Sequence, residues 1–266
     1  MRFARDVIAD YVSVAPCALA FERTLECRLY PTVPFDAPVL DLGCGEGLLA
    51  KILFRDKIDT GIDPNARELD RARELGGYVE LIECFGNAIP TPDGSYRTVF
   101  SNSVLEHIPD LDPVLREVFR ILAPGGHFHF TAPSANFERF NWTSTILSAF
   151  GLKSLDARWR RFFNRFWVHY HTYDLAGWEA WARTAGFEVV ESRTFAPRHT
   201  CMVNSTLTPF GIGAKSLKAA TNKWTLSPLL RKILFWPLYT AMRPVLAGAE
   251  RAENGGLVFL SLRKPE

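Results

Sequence analysis

The segment Asp41-Leu42-Gly43-Cys44-Gly45-Glu46-Gly47, set between an apolar run at 39–42 and a helical pattern at 47–54, constrains this chain more than any other feature. Glycines at alternate positions let the backbone pass close to a ligand where a Cβ would clash, and they put that ligand at the mouth of a helix. A nucleotide-bearing molecule is implied. The dinucleotide pattern G-x-G-x-x-G needs its third small residue at position 48, which is Leu48. A carboxylate just ahead of the first glycine, Asp41, also disfavours a pyrophosphate and suits a ligand with positive charge. Asp63 follows Gly43 by 20 residues, at the end of the next apolar run, where it could accept from both hydroxyls of a ribose.

Around this turn, short apolar runs alternate with helical patterns. The spacing predicts strands at 39–42, 60–63, 79–84, 98–102 and 127–131, with helices at 47–54, 66–74 and 113–122. That is the pattern of a parallel sheet with helices on both faces. The last of these helices puts Val114, Leu115, Val118, Ile121 and Leu122 on one face, and Pro124-Gly125-Gly126 ends it as a turn. Residues 3–29 read as a helix ahead of the core, stopped by Pro31 and Pro34. Beyond 133 the alternation breaks, then a helix at 175–185 and strands at 187–195 and 256–263 follow. We expect a single domain over 1–266, its core about 36–133, 173–195 and 256–263, with insertions at about 134–172 and 196–254.

Composition narrows the function classes. With 47% hydrophobic and 13% aromatic residues in 266, the chain can bury a sizeable core. A net charge of +2 is too small for a general electrostatic grip on nucleic acid. Five cysteines without a C-x-x-C pair frame neither a disulfide scaffold nor a zinc site, and fit a reducing compartment. The first ten residues lack the apolar core of a signal peptide, and no uncharged apolar run approaches the roughly 20 residues of a membrane span. A cytoplasmic location is expected.

Five blocks in order carry a resemblance. They are Val39-Leu40-Asp41-Leu42-Gly43-Cys44-Gly45-Glu46-Gly47, Gly61-Ile62-Asp63-Pro64, Gly86-Asn87-Ala88-Ile89-Pro90, Ser101-Asn102-Ser103-Val104-Leu105-Glu106-His107 and Leu122-Ala123-Pro124-Gly125-Gly126. Together they resemble the class I S-adenosylmethionine-dependent methyltransferases, particularly the small-molecule branch, over about 39–133 and 173–195. The resemblance implies an α/β, Rossmann-like, seven-stranded, mostly parallel sheet with helices on both faces and an antiparallel final strand, to which this chain adds the N-terminal helix and two helical insertions. It implies S-adenosyl-L-methionine as cofactor and S-adenosyl-L-homocysteine as product. Cofactor-binding roles then fall on Asp41, Gly43, Cys44, Gly45, Gly47, Asp63, Pro64, Asn87, Ala88, Ser101 and Asn102. Asp63 would hold the ribose, Asn87 and Ala88 would edge the adenine, and Ser101 and Asn102 would approach the methionine through the backbone. Asn87 stands where the family usually has Asp, so its oxygen accepts from the adenine amine without charge.

Methyl transfer from a sulfonium is an in-line displacement, so the protein chiefly aligns nucleophile and methyl and excludes water. His107, at the carboxyl edge of the sheet, suits proton removal if the acceptor needs it, and equally suits capping a helix. His169, His171 and Tyr173 form a second cluster, where His171 is a catalytic candidate or a structural histidine. No acidic or cysteine residue lies near the H-x-H pair in sequence, so no metal is expected there. Trp159, Phe162, Phe163, Phe166, Trp167 and Tyr170 share one side of a helix, with Arg158, Arg161 and Arg165 opposite; this is a lid or a surface-lying helix on anionic lipid. The mixed apolar and basic stretch 224–242 suits a membrane surface or a homo-oligomer contact. The expected activity is methyl transfer to a small, apolar or lipid-linked acceptor, at the cytoplasmic membrane face if the two stretches dock there. A catalytically silent cofactor-binding subunit of a complex is the alternative. A nucleic-acid substrate is disfavoured because Ser101-Asn102-Ser103-Val104 replaces the N-P-P-Y-like tetrad that presents a flipped base.

Overall fold

The computed structural model describes all 266 residues apart from the side chain of Ile212. Its seven strands are β1 (Val39–Leu42), β2 (Ile58–Asp63), β3 (Tyr78–Glu83), β4 (Tyr96–Asn102), β5 (Leu122–Pro133), β6 (Glu188–Phe195) and β7 (Leu257–Arg263). They form one sheet in the order β3-β2-β1-β4-β5-β7-β6. The pairs from β3 to β5 are parallel, and β7 runs antiparallel between β5 and β6. This is the expected sheet.

Alternating side chains feed two cores, as the period of a strand requires. Leu40 and Leu42 of β1, Val99 of β4 and Val258 and Leu260 of β7 lie under α5 (Asp112–Ile121) and α8 (Leu175–Thr184), around the fully buried Trp178. Val39, Phe100, Leu257 and Phe259 face the other way. They meet α1 (Ile8–Val14), α2 (Cys17–Cys27), α3 (Leu48–Leu53), α4 (Ala66–Leu75) and α12 (Trp236–Leu246). The remaining helices are α6 (Trp142–Ala149), α7 (Lys153–Trp167), α9 (Arg198–Leu207), α10 (Ile212–Thr221) and α11 (Pro228–Leu234).

Several boundaries differ from expectation, each for a local reason. The single helix expected over 3–29 is two, because Pro16 cannot donate to a helix interior and serves instead as the cap of α2. Phe3 pairs with Phe54 as an isolated bridge. Pro124-Gly125-Gly126 is not a free turn. β5 already pairs at Leu122 with Tyr96, bulges through these residues and resumes at His127 opposite Thr98. Lys264 fastens the bulge: its backbone bonds Gly125 and Gly126, and its ammonium reaches the last carbonyls of α5 at Phe119 and Leu122. In the first insertion α7 stops at Trp167 and Val168 turns left-handed, so Tyr170 lies off the helix it was expected to share. The stretch 224–242 is two helices, separated at Phe235.

Candidate active site

The glycine turn takes the form its sequence demands. Gly43, Gly45 and Gly47 have φ of +77°, +51° and +76°, a region that favours glycine. The amides of Gly43 and Cys44 both donate to the Ile62 carbonyl at 2.9 Å, which ties the turn to the end of β2. Asp63 stands beside it: one carboxylate oxygen accepts from Gly45 N–H (3.0 Å) and the other from Asn65 N–H (2.9 Å). The helix cap of α4 is Asn65, not Asp63, so the aspartate remains a rim residue with spare lone pairs. Asp41 is buried and accepts from the Tyr78 hydroxyl at 2.6 Å. Burial pushes its carboxyl up to about 7. Gly61 makes that contact possible, since a Cβ there would sit 2.8 Å from the Tyr78 ring. Pro64, Asn87 and Ala88 are exposed on the turns that follow β2 and β3, at the same edge.

At the carboxyl end of β4 the side chains are committed to the protein. Ser101 donates to the Leu42 carbonyl (3.0 Å), and Asn102 accepts from the Tyr30 hydroxyl (2.9 Å) while donating to Glu26 (2.9 Å). Glu26 is fully buried and also accepts from Ser103 (2.6 Å), Thr131 (3.0 Å) and the guanidinium of Arg23. Four donors on one carboxylate compensate for its burial. These α2 residues escaped the sequence analysis, because Glu26 stands about 140° around the helix from Phe21 and reads as a solvated charge until its partners are brought to it.

The histidines separate into two kinds. His171 donates from Nε2 to the Ile108 carbonyl and accepts at Nδ1 from the Tyr173 hydroxyl, both at 3.0 Å. With both nitrogens engaged it fastens the strap 169–173 to the turn after β4, and the catalytic part considered for it has no free atom. His107 donates from Nδ1 to the Val168 carbonyl (3.2 Å), so its Nε2 lone pair is free, 3.7 Å from Glu106. His169 packs beside His107 with ring centroids 5.3 Å apart. Desolvation lowers both imidazoles, His169 to about 4, and raises the buried Glu106 to about 8. An acidic neighbour for His169, not visible along the chain, is therefore supplied across space by Glu106.

Both insertions roof this edge. Trp159 donates to Asn141 and Phe163 packs on Phe137, while Phe162 and Phe166 face outward. α10 reaches both α7 and the glycine turn. Lys215 sits over the rings of Phe166 and Trp167, at 5.0 and 4.6 Å, and Lys218 pairs with Glu46 of the glycine turn (2.8 Å) and Glu68 (3.0 Å).

Residues 19–192 match the family described as a methyltransferase domain. The chain belongs to this methyltransferase family. It is of the class I, S-adenosylmethionine-dependent kind. A ubiquinone biosynthesis O-methyltransferase of Pectobacterium carotovorum is 36% identical over 124 residues, which cover 43% of this chain and 50% of that enzyme. The chain thus spans about half the length of the curated relatives it matches. Among solved structures, a methyltransferase of Thermotoga maritima superposes with a TM-score of 0.57 at 17% identity, covering 93% of this chain and 91% of that one. A phosphoethanolamine N-methyltransferase of Haemonchus contortus gives 0.53 at 18% identity, covering 95% and 54%. Both share the fold.

S-adenosylmethionine is the cofactor of this methyltransferase, and the turn suits it. A Cβ built on Gly45 would meet nothing within 4 Å, so that backbone borders open space. Asp63 beside it keeps spare lone pairs that match ribose hydroxyls, and two further acidic side chains flank the turn, Asp41 buried under Tyr78 and Glu46 paired with Lys218.

Proposed function

We propose that this methyltransferase moves the sulfonium methyl of S-adenosylmethionine to an oxygen of a small, apolar or lipid-linked acceptor. One observation carries the reading: a glycine turn flanked by acidic side chains opens on the same sheet edge as a neutral imidazole, His107, under an aromatic roof. Bound at the turn, the cofactor supplies an activated methyl. The protein's own part is to hold and to shield. Asp63, through its spare lone pairs, and the close-passing backbone at Gly45 hold the donor; Asn102, fixed by Tyr30 and Glu26, keeps the end of β4 rigid; the α7 and α10 roof excludes water. His107 Nε2 is unprotonated near neutrality and can take the proton that a hydroxyl acceptor gives up. The relatives named for O-methylation in ubiquinone biosynthesis support an oxygen on a lipid-linked ring. Release of S-adenosylhomocysteine with polyprenylated phenols should exceed that without acceptor; donor binding with no turnover on any hydroxyl acceptor would favour a silent subunit instead.

Access from a membrane surface, on its cytoplasmic face, is part of this proposal. No helix among the described residues is long and apolar enough to cross a membrane. α11, however, exposes Leu229, Leu230, Ile233 and Leu234, followed by Trp236. The basic residues of this stretch are already spent: Arg231 caps the carbonyls of Val12 and Ala15 at the end of α1, Lys232 pairs with Asp10 and Arg243 with Asp6. Docking there is apolar, so α11 should carry the chain onto neutral vesicles as well as anionic ones, with little effect of salt.

A further inference from the structure

We propose that Glu106, His107 and His169 form a binding site for a divalent transition metal of the zinc class, at the acceptor end of the cleft. The three residues come from the turn after β4 and from the strap after α7, and each offers one ligand atom within 4.8 Å of the other two. Metal-bound nitrogen and oxygen atoms in a tetrahedral set lie roughly 3.3 Å apart. Glu106 Oε1 and His107 Nε2 are already at 3.7 Å, close to that spacing.

Independent features point to a ligand. Glu106 is 2% exposed, and its Oε2 has no hydrogen-bond partner among the described residues; neither has Nδ1 of His169. Buried polar atoms left without a partner are costly unless something binds them. His107 is oriented as metal-binding histidines are, with its far nitrogen donating to a backbone carbonyl and its near nitrogen free. That carbonyl belongs to Val168, a β-branched residue held at φ +59°, a conformation that needs support from its surroundings.

Two nitrogens and one oxygen favour zinc over magnesium, which prefers oxygen alone. His107 is the exposed member, so the fourth position opens toward solvent, where water or an acceptor hydroxyl could bind. An acceptor oxygen held there would be kept deprotonated, its proton released to water, and His107 would then serve as ligand, not base. This role, though not the binding itself, rests on the methyltransferase reading above.

The test is calorimetric titration of Zn2+ into the chelator-stripped full chain, with Co2+ absorption reporting coordination. Uptake of about one equivalent, with the visible bands of four-coordinate cobalt, is expected. Affinity should fall more than about 100-fold in His169→Ala and in Glu106→Gln, and stay unchanged in His199→Ala, an exposed histidine elsewhere. Should Glu106→Gln fail to fold by circular dichroism, His169→Ala decides. No stoichiometric uptake by folded protein, or equal uptake by His169→Ala, overturns the site. S-adenosylhomocysteine binding measured on the same sample tells a failed metal site from a failed methyltransferase reading.

Discussion

Gly43 and Gly45 share a left-handed backbone, yet an added methyl meets a different fate at each. At Gly43 it would lie 2.5 Å from Val104, whereas at Gly45 it would enter open space. Gly43→Ala should therefore cost about 2–5 kcal/mol of stability, from backbone strain and overpacking together, read as a lower denaturant midpoint. Gly45→Ala should cost only about 1–2 kcal/mol in folding while weakening S-adenosylhomocysteine binding far more. Glu26 is a different kind of residue, since its loss strands Arg23. Glu26→Ala should destabilise by roughly 3–5 kcal/mol. The buried acids also set the pH dependence of stability. Glu106 rises from 4.5 to about 8 on folding, so between those values the folded chain keeps a proton that the unfolded chain has released, and stability falls as pH rises. His169, lowered from 6.5 to about 4, has the opposite slope, but only below about 6.5. From pH 6.5 to 8 the carboxyl effect acts unopposed by this histidine. Thermal melts of the metal-free chain should show a falling midpoint there, and Glu106→Gln should reduce the slope.

Among the elements, α10 behaves as a clasp, anchored at the glycine turn by Lys218 and on α7 by Lys215. The Lys218 pairs are partly buried, so Lys218→Met should remove about 1 kcal/mol and speed S-adenosylhomocysteine dissociation roughly fivefold, measured by stopped flow. An unchanged rate would show that the roof opens without breaking this contact. The same scale shows what could be read from sequence. The sheet and its glycine turn were legible because strand and helix periods differ and because left-handed backbone selects glycine. The α2 contribution was not, since Glu26 reveals its function only when β4 and β5 bring Asn102, Ser103 and Thr131 to it. The surroundings of the histidines were not legible along the chain, for one reason. Neighbours in sequence, His169 and His171, point to separate partners, while Glu106 and His169 meet across 63 positions of chain.

For the molecule as a whole, a glycine turn flanked by acidic side chains, a polar cluster at the end of β4 and an aromatic roof line one edge of the sheet, and α11 leaves an apolar face exposed. Replacing Leu229, Leu230 and Ile233 by serine should abolish vesicle co-sedimentation while leaving donor binding intact; loss of both would mean that α11 supports the fold. The account depends most on the nature of the donor held at the turn. Calorimetric titration with S-adenosylhomocysteine addresses it directly. We predict saturable binding at one site per chain, weakened at least tenfold by Asp63→Ala, with no heat from NAD. Binding of NAD in its place, or S-adenosylhomocysteine affinity indifferent to Asp63, would contradict the account.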